Sequence, residues 1–326
     1  MKNRPVLFPP KIFNVYKPAG ISSYDVVRHF KRNLPNGFGK IGHFGTLDPF
    51  AEGVLMIGTG GAARLNDFIH EYLPKTYLAT GKLGEETPTG DPTSDVVQRD
   101  ESPFLRQEIG SFSAEFIDER AKARFLGTYL QTPHKYSATK FMGKNLHEWA
   151  REGVEVKKEA VARTIHSIDV VGFNFPLLTI RSTVSSGTYI RTLFTELSHD
   201  LGTLGHLLTL KRESVGHVHA DKALRENEWP ADRDPAFMGK GLKVDEVLPF
   251  GKIVLNDETV KYFRNGAFLK NLTDSKGEIE SPYRWLLDEK GEILGLGEWK
   301  SETELRPKIN FCSEVPVEFS SGHSPQ

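Results

Sequence analysis

One acidic side chain, Asp48, lies in a loop whose composition suits the binding of a ligand. Gly42, Gly45 and Gly53 surround it, and Pro49 follows it directly. Proline favours an extended backbone at the preceding residue and donates no hydrogen bond, so the carboxylate is held in a loop. The glycines would let a ligand come close to the backbone. An Asx-type turn is the structural alternative, and the loop residues alone leave both interpretations open.

A second group of polar residues lies at the start of a predicted helix. Thr188 is placed to cap this helix, whose apolar positions run from Ile190 to Leu201. Tyr189 and Arg191 then fall in its first turn, where the helix dipole favours an anion over a cation. A nearby carboxylate or phosphate would suit Arg191, and a surface arginine whose stem covers the core is the alternative.

Other kinds of catalytic site find little support. Residues 58–61 (Gly-Thr-Gly-Gly) lack the Gly-Lys-Ser/Thr that completes a phosphate-binding loop, so a turn before a helix is predicted there. The histidines have no neighbours at metal-ligand spacing. No Gly-x-Ser-x-Gly elbow indicates a serine hydrolase. The sequence therefore offers no metal site and no cofactor motif.

The N-terminal pattern predicts the elements that would position Asp48. Residues 12–16 alternate as in a strand, and Ser22 or Ser23 can cap the helix that follows. Residues 54–57 suit a buried strand directly after the Asp48 loop, and residues 62–72 suit a helix.

Further along the chain, the pattern predicts loops and then a second module. The acidic, turn-rich stretch 84–95 is predicted to be a loop over one face, and residues 227–242 look like a linker. Beyond it, short strands separated by Asp, Lys and Gly predict a small β-barrel. For Tyr77, which begins a strand after a proline, core packing is the default expectation.

Length and composition indicate an ordinary globular protein of two domains. The chain has 326 residues, of which 38% are hydrophobic and 26% charged. No apolar run is long enough for a membrane span, and the N-terminus lacks an apolar signal region. The single cysteine, Cys312, excludes an intramolecular disulfide framework and fits a reducing cytoplasm. We therefore expect a cytoplasmic protein with no membrane partner.

The net charge of −1 hides a pattern along the chain. Residues 1–50 hold eight basic and two acidic side chains, and residues 124–158 hold seven and three. Residues 51–123 and 245–326 are acidic. Local fields attract a polyanion more than totals do, so the two basic segments are candidates for binding nucleic acid, with solvated faces as the alternative.

Several motifs together resemble the TruB pseudouridine synthases. They occur in family order from residue 13 to about residue 216. The Asp48 motif is Gly42-His43-x-Gly45-Thr46-Leu47-Asp48-Pro49-x-Ala51-x-Gly53-Val54-Leu55. The others are Tyr16-Lys17-Pro18-x-Gly20-x-Ser22-Ser23, Lys75-x-Tyr77, Gln131-x-Pro133-x-x-Tyr136-Ser137-Ala138-x-Lys140, Gly187-Thr188-Tyr189-Ile190-Arg191 and Leu210-Lys211-Arg212. The chain departs from the usual pattern at Phe44, Phe50, Glu52, His134 and His147.

The resemblance implies a fold and a domain organisation. The class is α+β, with a pseudouridine synthase catalytic domain built on a mixed, mainly antiparallel sheet with flanking helices. The catalytic domain would span residues 1–246, with an RNA-gripping insertion at 131–153. A small PUA-like β-barrel would follow at 247–316, and residues 317–326 would form a disordered tail.

The resemblance also implies a reaction that needs neither metal nor redox cofactor. Uridine in RNA is isomerised to pseudouridine: the base leaves its N1 link, turns and rejoins through C5. Asp48 would be the essential carboxylate, as nucleophile or as electrostatic stabiliser, and Arg191 would pair with it. Tyr77 would stack on the uracil and could take a sugar proton, and Tyr189 and Leu210 would line the pocket.

RNA contacts are implied outside the reacting centre as well. His43 would touch bases displaced when the uridine is extruded. The insertion matches one that closes over a tRNA stem-loop, with Lys140 as a phosphate contact. The expected partner is therefore the TΨC stem-loop of tRNA, with uridine 55 as the target.

Two alternatives to this function stay open at the level of sequence. One is an RNA-binding protein or tRNA-folding chaperone that keeps the fold without turnover. The other is a base-removing RNA glycosidase. For the isomerase we expect a monomer with no obligate protein partner.

Overall fold

The structure, a computed structural model, describes residues 8–132, 140–141, 144–145, 149, 159–270 and 272–311. Helices and strands alternate irregularly along the chain. The helices are α1 (Ser23–Asn33), α2 (Asn66–Tyr72), α3 (Pro103–Gln107), α4 (Ala114–Phe125), α5 (Ile190–Asp200), α6 (Val244–Val247) and α7 (Asp257–Arg264). Within the described residues, no helix is long and apolar enough to cross a membrane.

Most strands belong to one large sheet. The first nine strands are β1 (Lys11–Lys17), β2 (Ile41–His43), β3 (Glu52–Thr59), β4 (Lys75–Leu83), β5 (Glu85–Glu86), β6 (Gln98–Arg99), β7 (Gly127–Gln131), β8 (Lys140–Phe141) and β9 (Lys144–Asn145). The next five are β10 (Val161–Asn174), β11 (Leu177–Val184), β12 (Gly205–Val215), β13 (Val218–His219) and β14 (Leu242–Lys243). The C-terminal five are β15 (Gly251–Val254), β16 (Leu269–Lys270), β17 (Tyr283–Leu287), β18 (Ile293–Trp299) and β19 (Glu304–Asn310).

The large sheet has ten strands, eight of them in the order β14-β1-β3-β12-β4-β11-β10-β7. Strand β2 pairs with β3, and β13 pairs with β12. The β3–β12 pairing is parallel and its other pairings are antiparallel. The predicted α+β class with a mixed, mainly antiparallel sheet is therefore confirmed.

Strand β3 is buried on both faces, as its continuous apolar run predicts. Leu55 and Ile57 point to the core on which α1 packs, whereas Val54 and Met56 point to the other face. Ser22 caps α1 through a capping box, so of the two predicted caps Ser22 is the one used. Ser23 is left for another contact, described with the site.

Helix α5 begins two residues later than the predicted cap. Its N-cap is Tyr189, without a side-chain cap bond, and its first residue is Ile190. The cap predicted at Thr188 is therefore wrong, because the Thr188 hydroxyl instead donates to the carbonyl of Ser185 at 2.9 Å. Phe194 of α5 packs so close to β4 that a Cβ at Gly81 would lie 2.2 Å from its ring.

The stretch 227–242, predicted as a linker, is part of the core instead. Trp229, Phe237 and Met238 are buried there, in short 3-10 turns and their flanks. They pack on the face of the sheet that α1 covers, and the rings of Phe237 and Phe13 stack at 5.2 Å. The prediction was wrong because these three apolar residues were outweighed by the charges and prolines around them.

The C-terminal strands form a separate five-stranded sheet in the order β15-β17-β18-β19-β16. It packs against α2, where Phe68 meets Tyr283 edge-on at 4.8 Å and Tyr72 meets Phe250 at 5.1 Å. Aromatic pairs in this geometry add about 0.5–1.5 kcal/mol beyond their buried area. The helix that lines one side of the site is thus braced by the C-terminal module.

Parts of the domain prediction fall outside the described residues. The tail 317–326 lies there, as does most of the insertion 131–153. In the insertion, β8 and β9 form a two-stranded ladder in which Lys140 pairs with Asn145. The domain bounds and the PUA-like character of the C-terminal sheet stay predictions.

Candidate active site

The loop that carries Asp48 is held by the strand–helix segment that precedes it. The hydroxyl of Ser23 donates to the carbonyl of Leu47 at 3.0 Å and accepts from its N–H at 2.9 Å. The buried ammonium of Lys17 donates to the carbonyl of Pro49 at 3.3 Å, and the N–H of Gly20 donates to the same oxygen at 2.8 Å. The residues on both sides of Asp48 are therefore fixed by the protein.

Asp48 and Arg191 form an ion pair with two contacts. Arg191 Nε lies 3.0 Å from Asp48 Oδ2, and Nη2 donates to Oδ1 at 3.4 Å. The Arg191 side chain is 5% exposed and that of Asp48 is 35% exposed. Asp48 therefore supplies the anion that suits an arginine in the first turn of α5.

A second carboxylate, Asp91, holds Arg191 from the loop after β5. Arg191 Nη1 lies 3.1 Å from Asp91 Oδ2 and donates to the carbonyl of Thr89 at 2.8 Å. Asp91 is itself fixed, since Oδ1 accepts from the Thr89 hydroxyl at 2.7 Å and from the Thr93 N–H at 2.9 Å. The loop predicted to lie over one face therefore turns inward, and its buried aspartate positions Arg191.

Two opposing effects act on the charge of Asp48. Burial raises the pKa of its carboxyl above the ordinary value, and the Arg191 cation lowers it. The nearby Asp91 carboxylate raises the pKa further, and Lys17 lowers it. The net direction is upward, so the ionised form of Asp48 is less favoured than in water.

Tyr77 reaches the site from β4 and is positioned by Arg212. Arg212, 1% exposed, donates from Nε to the carbonyl of Val54 at 2.7 Å and from Nη2 to that of Gly45 at 3.0 Å. Its Nη1 lies 3.5 Å from the Tyr77 hydroxyl. One guanidinium thus connects the catalytic loop, the strand after it and the tyrosine.

Tyr189 is held through its backbone by Gln131, at the end of β7. The side-chain amide of Gln131 accepts from the Tyr189 N–H at 2.8 Å and donates to the Tyr189 carbonyl at 3.0 Å. Its amide nitrogen also donates to the Tyr129 hydroxyl at 2.7 Å. Because Gln131 is buried, this pairing fixes the backbone two residues before Arg191.

These groups surround one cavity of about 420 Å³. It is lined by His43, Gly45, Thr46, Leu47, Asp48, Asn66, His70, Lys75, Tyr77, Gly187, Thr188, Tyr189, Ile190, Arg191, Leu210 and Arg212. This volume is within the range of small-molecule sites and suits one nucleotide base with part of its sugar.

The wall of the cavity next to α2 is rich in cationic groups. Burial lowers the pKa of Lys75 to about 7, with a further contribution from the Arg212 charge. Burial also lowers the pKa of His43 and of His70, again helped by Arg212. Among the described residues, no three His, Cys, Asp or Glu side chains come together as metal ligands.

The structure brings most of the predicted site residues together. His43, Asp48, Tyr77, Tyr189, Arg191 and Leu210 all line the cavity. Tyr77 is buried, as the default expectation of core packing required, yet it also faces the cavity. Lys140 lies in β8, and its side chain is outside the described part of the chain.

Sequence reasoning gave no role to several residues of the site. Asp91 was missed because it lies in an acidic, turn-rich stretch, although the alternating hydroxyls of Thr87, Thr89 and Thr93 signal a tightly bonded loop. Lys75 and Arg212 stood in motifs without a role, and His70 carried no signal.

Comparison with known proteins agrees with this geometry. A sequence model described as "TruB family pseudouridylate synthase (N terminal domain)" matches residues 31–190. The chain is 40% identical over 248 residues to tRNA pseudouridine synthase B of Desulfotalea psychrophila, covering 74% of this chain and 96% of that protein. The chain belongs to the TruB family of pseudouridylate synthases.

Other TruB relatives match over more of the chain. The enzyme of the same name from Azoarcus sp. is 34% identical over 302 residues, or 92% of this chain and 94% of the relative. That from Clostridium kluyveri is 32% identical, over 88% of this chain and 94% of the relative.

Solved structures show the same fold at low identity. A chain of a Cbf5-Nop10-Gar1 complex aligns with a TM-score of 0.65 at 20% identity, over 92% of this chain and 84% of its own length. A chain of an H/ACA RNP bound to a substrate RNA containing 2'-deoxyuridine aligns with a TM-score of 0.63 at 18% identity.

One departure from the usual TruB pattern has a structural counterpart. Phe44, where the family usually has a smaller residue, is 2% exposed, and its ring occupies the space beside Gly58. A Cβ on Gly58 would lie 2.5 Å from that ring. The larger residue in the catalytic loop is therefore accommodated by a glycine on β3.

Proposed function

We propose that this protein isomerises uridine to pseudouridine at position 55, in the TΨC loop of tRNA. The observation that carries the proposal is the Asp48 carboxylate, which is paired with Arg191 and faces a base-sized cavity that Tyr77 also lines. The curated relatives are named as tRNA pseudouridine synthases, which supports tRNA as the substrate.

The reaction is balanced without any external reactant. The N1–C1′ bond of the uridine breaks, a C5–C1′ bond forms, and the proton on C5 is lost while N1 gains one. Positive charge develops at C1′ when the base leaves, and a preformed carboxylate lowers the free energy of that state. Asp48 can do this by bonding to C1′ or by electrostatic attraction alone.

The other residues of the cavity hold the base and exclude water. Arg191 keeps Asp48 oriented and ionised against the effect of burial. Tyr77 would stack on the uracil, and its hydroxyl could accept a sugar proton in an elimination route. Tyr189 and Leu210 would form the walls, and His43 would contact bases displaced by extrusion of the uridine.

The rest of the molecule would bind the RNA around the target nucleotide. Lys140, in the insertion 131–153, would contact phosphates, and the PUA-like sheet at 247–316 would add a small contact. We propose a cytoplasmic monomer that needs no protein partner for this reaction.

The test is chemical mapping of pseudouridine in a tRNA transcript after incubation with the protein. A single new pseudouridine at position 55, absent when that uridine is replaced by cytidine, is the expected result. Bound but unchanged RNA would identify a binding protein, and an abasic nucleotide at the same position would identify base removal. Either of these results would refute the proposed function.

A further inference from the structure

A hydrogen-bond chain crosses the cavity wall next to α2. His70 Nδ1 lies 2.8 Å from the hydroxyl of Ser186, in the turn between β11 and α5. The ammonium of Lys75 also donates to that hydroxyl, and to the carbonyl of Leu73 at 3.1 Å. His70, Lys75 and the residue after Ser186 all line the cavity.

The direction of these bonds assigns the tautomer of neutral His70. An ammonium only donates, so the Ser186 oxygen accepts from Lys75 and uses its own proton to donate to His70. His70 Nδ1 is then the acceptor, and Nε2 carries the hydrogen. The ring therefore presents an N–H donor on the side away from Ser186. His70 Cε1 is also 3.6 Å from where a Cβ on Gly45 would be, so the ring borders the catalytic loop.

The charges on this wall favour an anion as the acceptor. Lys75, Arg212 and His43 each disfavour the charged form of His70, and Asp67 on the same helix favours it. Lys75 in turn is disfavoured in its charged form by Arg212. Asp48, the carboxylate that lines the cavity, is already paired with Arg191. An anion next to His70 would relieve the mutual repulsion of these cations.

We propose that His70, aligned by Ser186 and Lys75, binds a phosphate oxygen of the RNA backbone next to the extruded uridine. An extruded nucleotide keeps its two flanking phosphates, so they enter the cavity or its rim with the base. The assignment rests on the proposed function for the identity of the RNA. It adds a contact for which the family motifs named no residue.

The test is a binding cycle that combines a protein variant with a neutral linkage in the RNA. All proteins carry Asp48→Asn, so the RNA is not converted and Asp48 does not titrate. Dissociation constants are measured for a TΨC stem-loop with an ordinary phosphate, or a methylphosphonate, on each side of the target uridine. With His70 present, we expect one methylphosphonate to weaken binding about tenfold, as the loss of a charge-assisted bond would.

The variant His70→Leu should bind the ordinary RNA about tenfold more weakly and should lose the sensitivity to that methylphosphonate. Ser186→Ala, which leaves the imidazole in place, should show a smaller loss in the same direction. His219→Leu, which changes an exposed histidine outside the cavity, should keep full affinity and full sensitivity. Thermal unfolding of each variant reports whether its fold is intact.

The pH dependence gives a second readout that a structural role would not move. A phosphate beside His70 and Lys75 raises the pKa of both groups, so binding takes up protons and tightens as the pH falls from about 8 to 6. His70→Leu should flatten this dependence. Equal methylphosphonate losses with and without His70 would overturn the assignment, as would an unchanged affinity in His70→Leu.

Failure of this assignment differs from failure of the proposed function. If the protein with Asp48 intact makes pseudouridine but the two losses are additive, the phosphate contact is wrong and the function stands. If the losses are not additive but the uridine stays unconverted, the contact stands and the function is wrong.

Discussion

Asp91 binds Arg191 through Nη1 at 3.1 Å, a nitrogen different from those that contact Asp48. The guanidinium is therefore shared by two carboxylates with separate tasks. Asp91 is 4% exposed and bonded to its own loop, so it positions, whereas the partly exposed Asp48 faces the cavity. Several expected outcomes depend on this arrangement.

Asp91→Asn should lower kcat about 100-fold, because Arg191 and hence Asp48 lose their fixed geometry. Breaking a buried ion pair also destabilises the fold, by about 3–5 kcal/mol where nothing replaces the charge. Single-turnover rates and thermal unfolding measure the two effects. Asp95→Asn, an exposed aspartate of the same loop, is the matched control and should behave like the native protein. Native activity in Asp91→Asn would show that Asp48 needs no help from this loop.

The rate should fall at acid pH with an inflection above the ordinary aspartate pKa. The ionised Asp48 is the active form, and burial and Asp91 both raise its pKa, so protonation begins at a higher pH than in a free side chain. Removing the Asp91 charge takes away one cause of the increase. The inflection of Asp91→Asn, normalised to its own plateau, should therefore move to lower pH. A shift to higher pH would contradict the assignment of Asp48 as the titrating group.

Gly53→Ala should unfold more easily than a glycine substitution of equal backbone strain. Gly53 has φ +108°, and a Cβ there would lie 2.2 Å from the carbonyl oxygen of Arg212, its partner across the β3–β12 pairing. Gly127 has φ +90° with open space around it, so Gly127→Ala shows the backbone cost alone, about 1–3 kcal/mol. The difference in free energy of unfolding measures the clash. Equal losses would mean that β3 and β12 separate freely.

Gln131→Leu should lower kcat and stability because it removes both bonds to the Tyr189 backbone. Each lost hydrogen bond costs about 0.5–1.5 kcal/mol, and more where a buried group stays unsatisfied. The readout is the single-turnover rate with saturating protein, alongside thermal unfolding. Gln98→Leu, an exposed glutamine on β6, serves as the control. If Gln131→Leu keeps the native rate, the Tyr189 backbone does not need this clamp.

The sequence predicted the parts of the site that depend on local pattern or on motif, and missed those that depend on distant contacts. The strand at 54–57 and the capped helix before it follow from periodicity, and the Asp48–Arg191 pair followed from resemblance. The roles of Asp91 and of His70 arise from partners about 100 residues away in the chain. Composition could not show these partners, and it also misplaced Trp229 in a linker because charges surround it.

The most direct test of the central claim is tritium release from tRNA labelled at C5 of uracil. Formation of the C5–C1′ bond must displace that hydrogen, so the native protein should release one tritium per target uridine and no free uracil. Asp48→Asn, checked by mass spectrometry for reversion through deamidation, should release none, although it still binds the tRNA. Full release by verified Asp48→Asn, or tight binding by the native protein without release, would contradict the account.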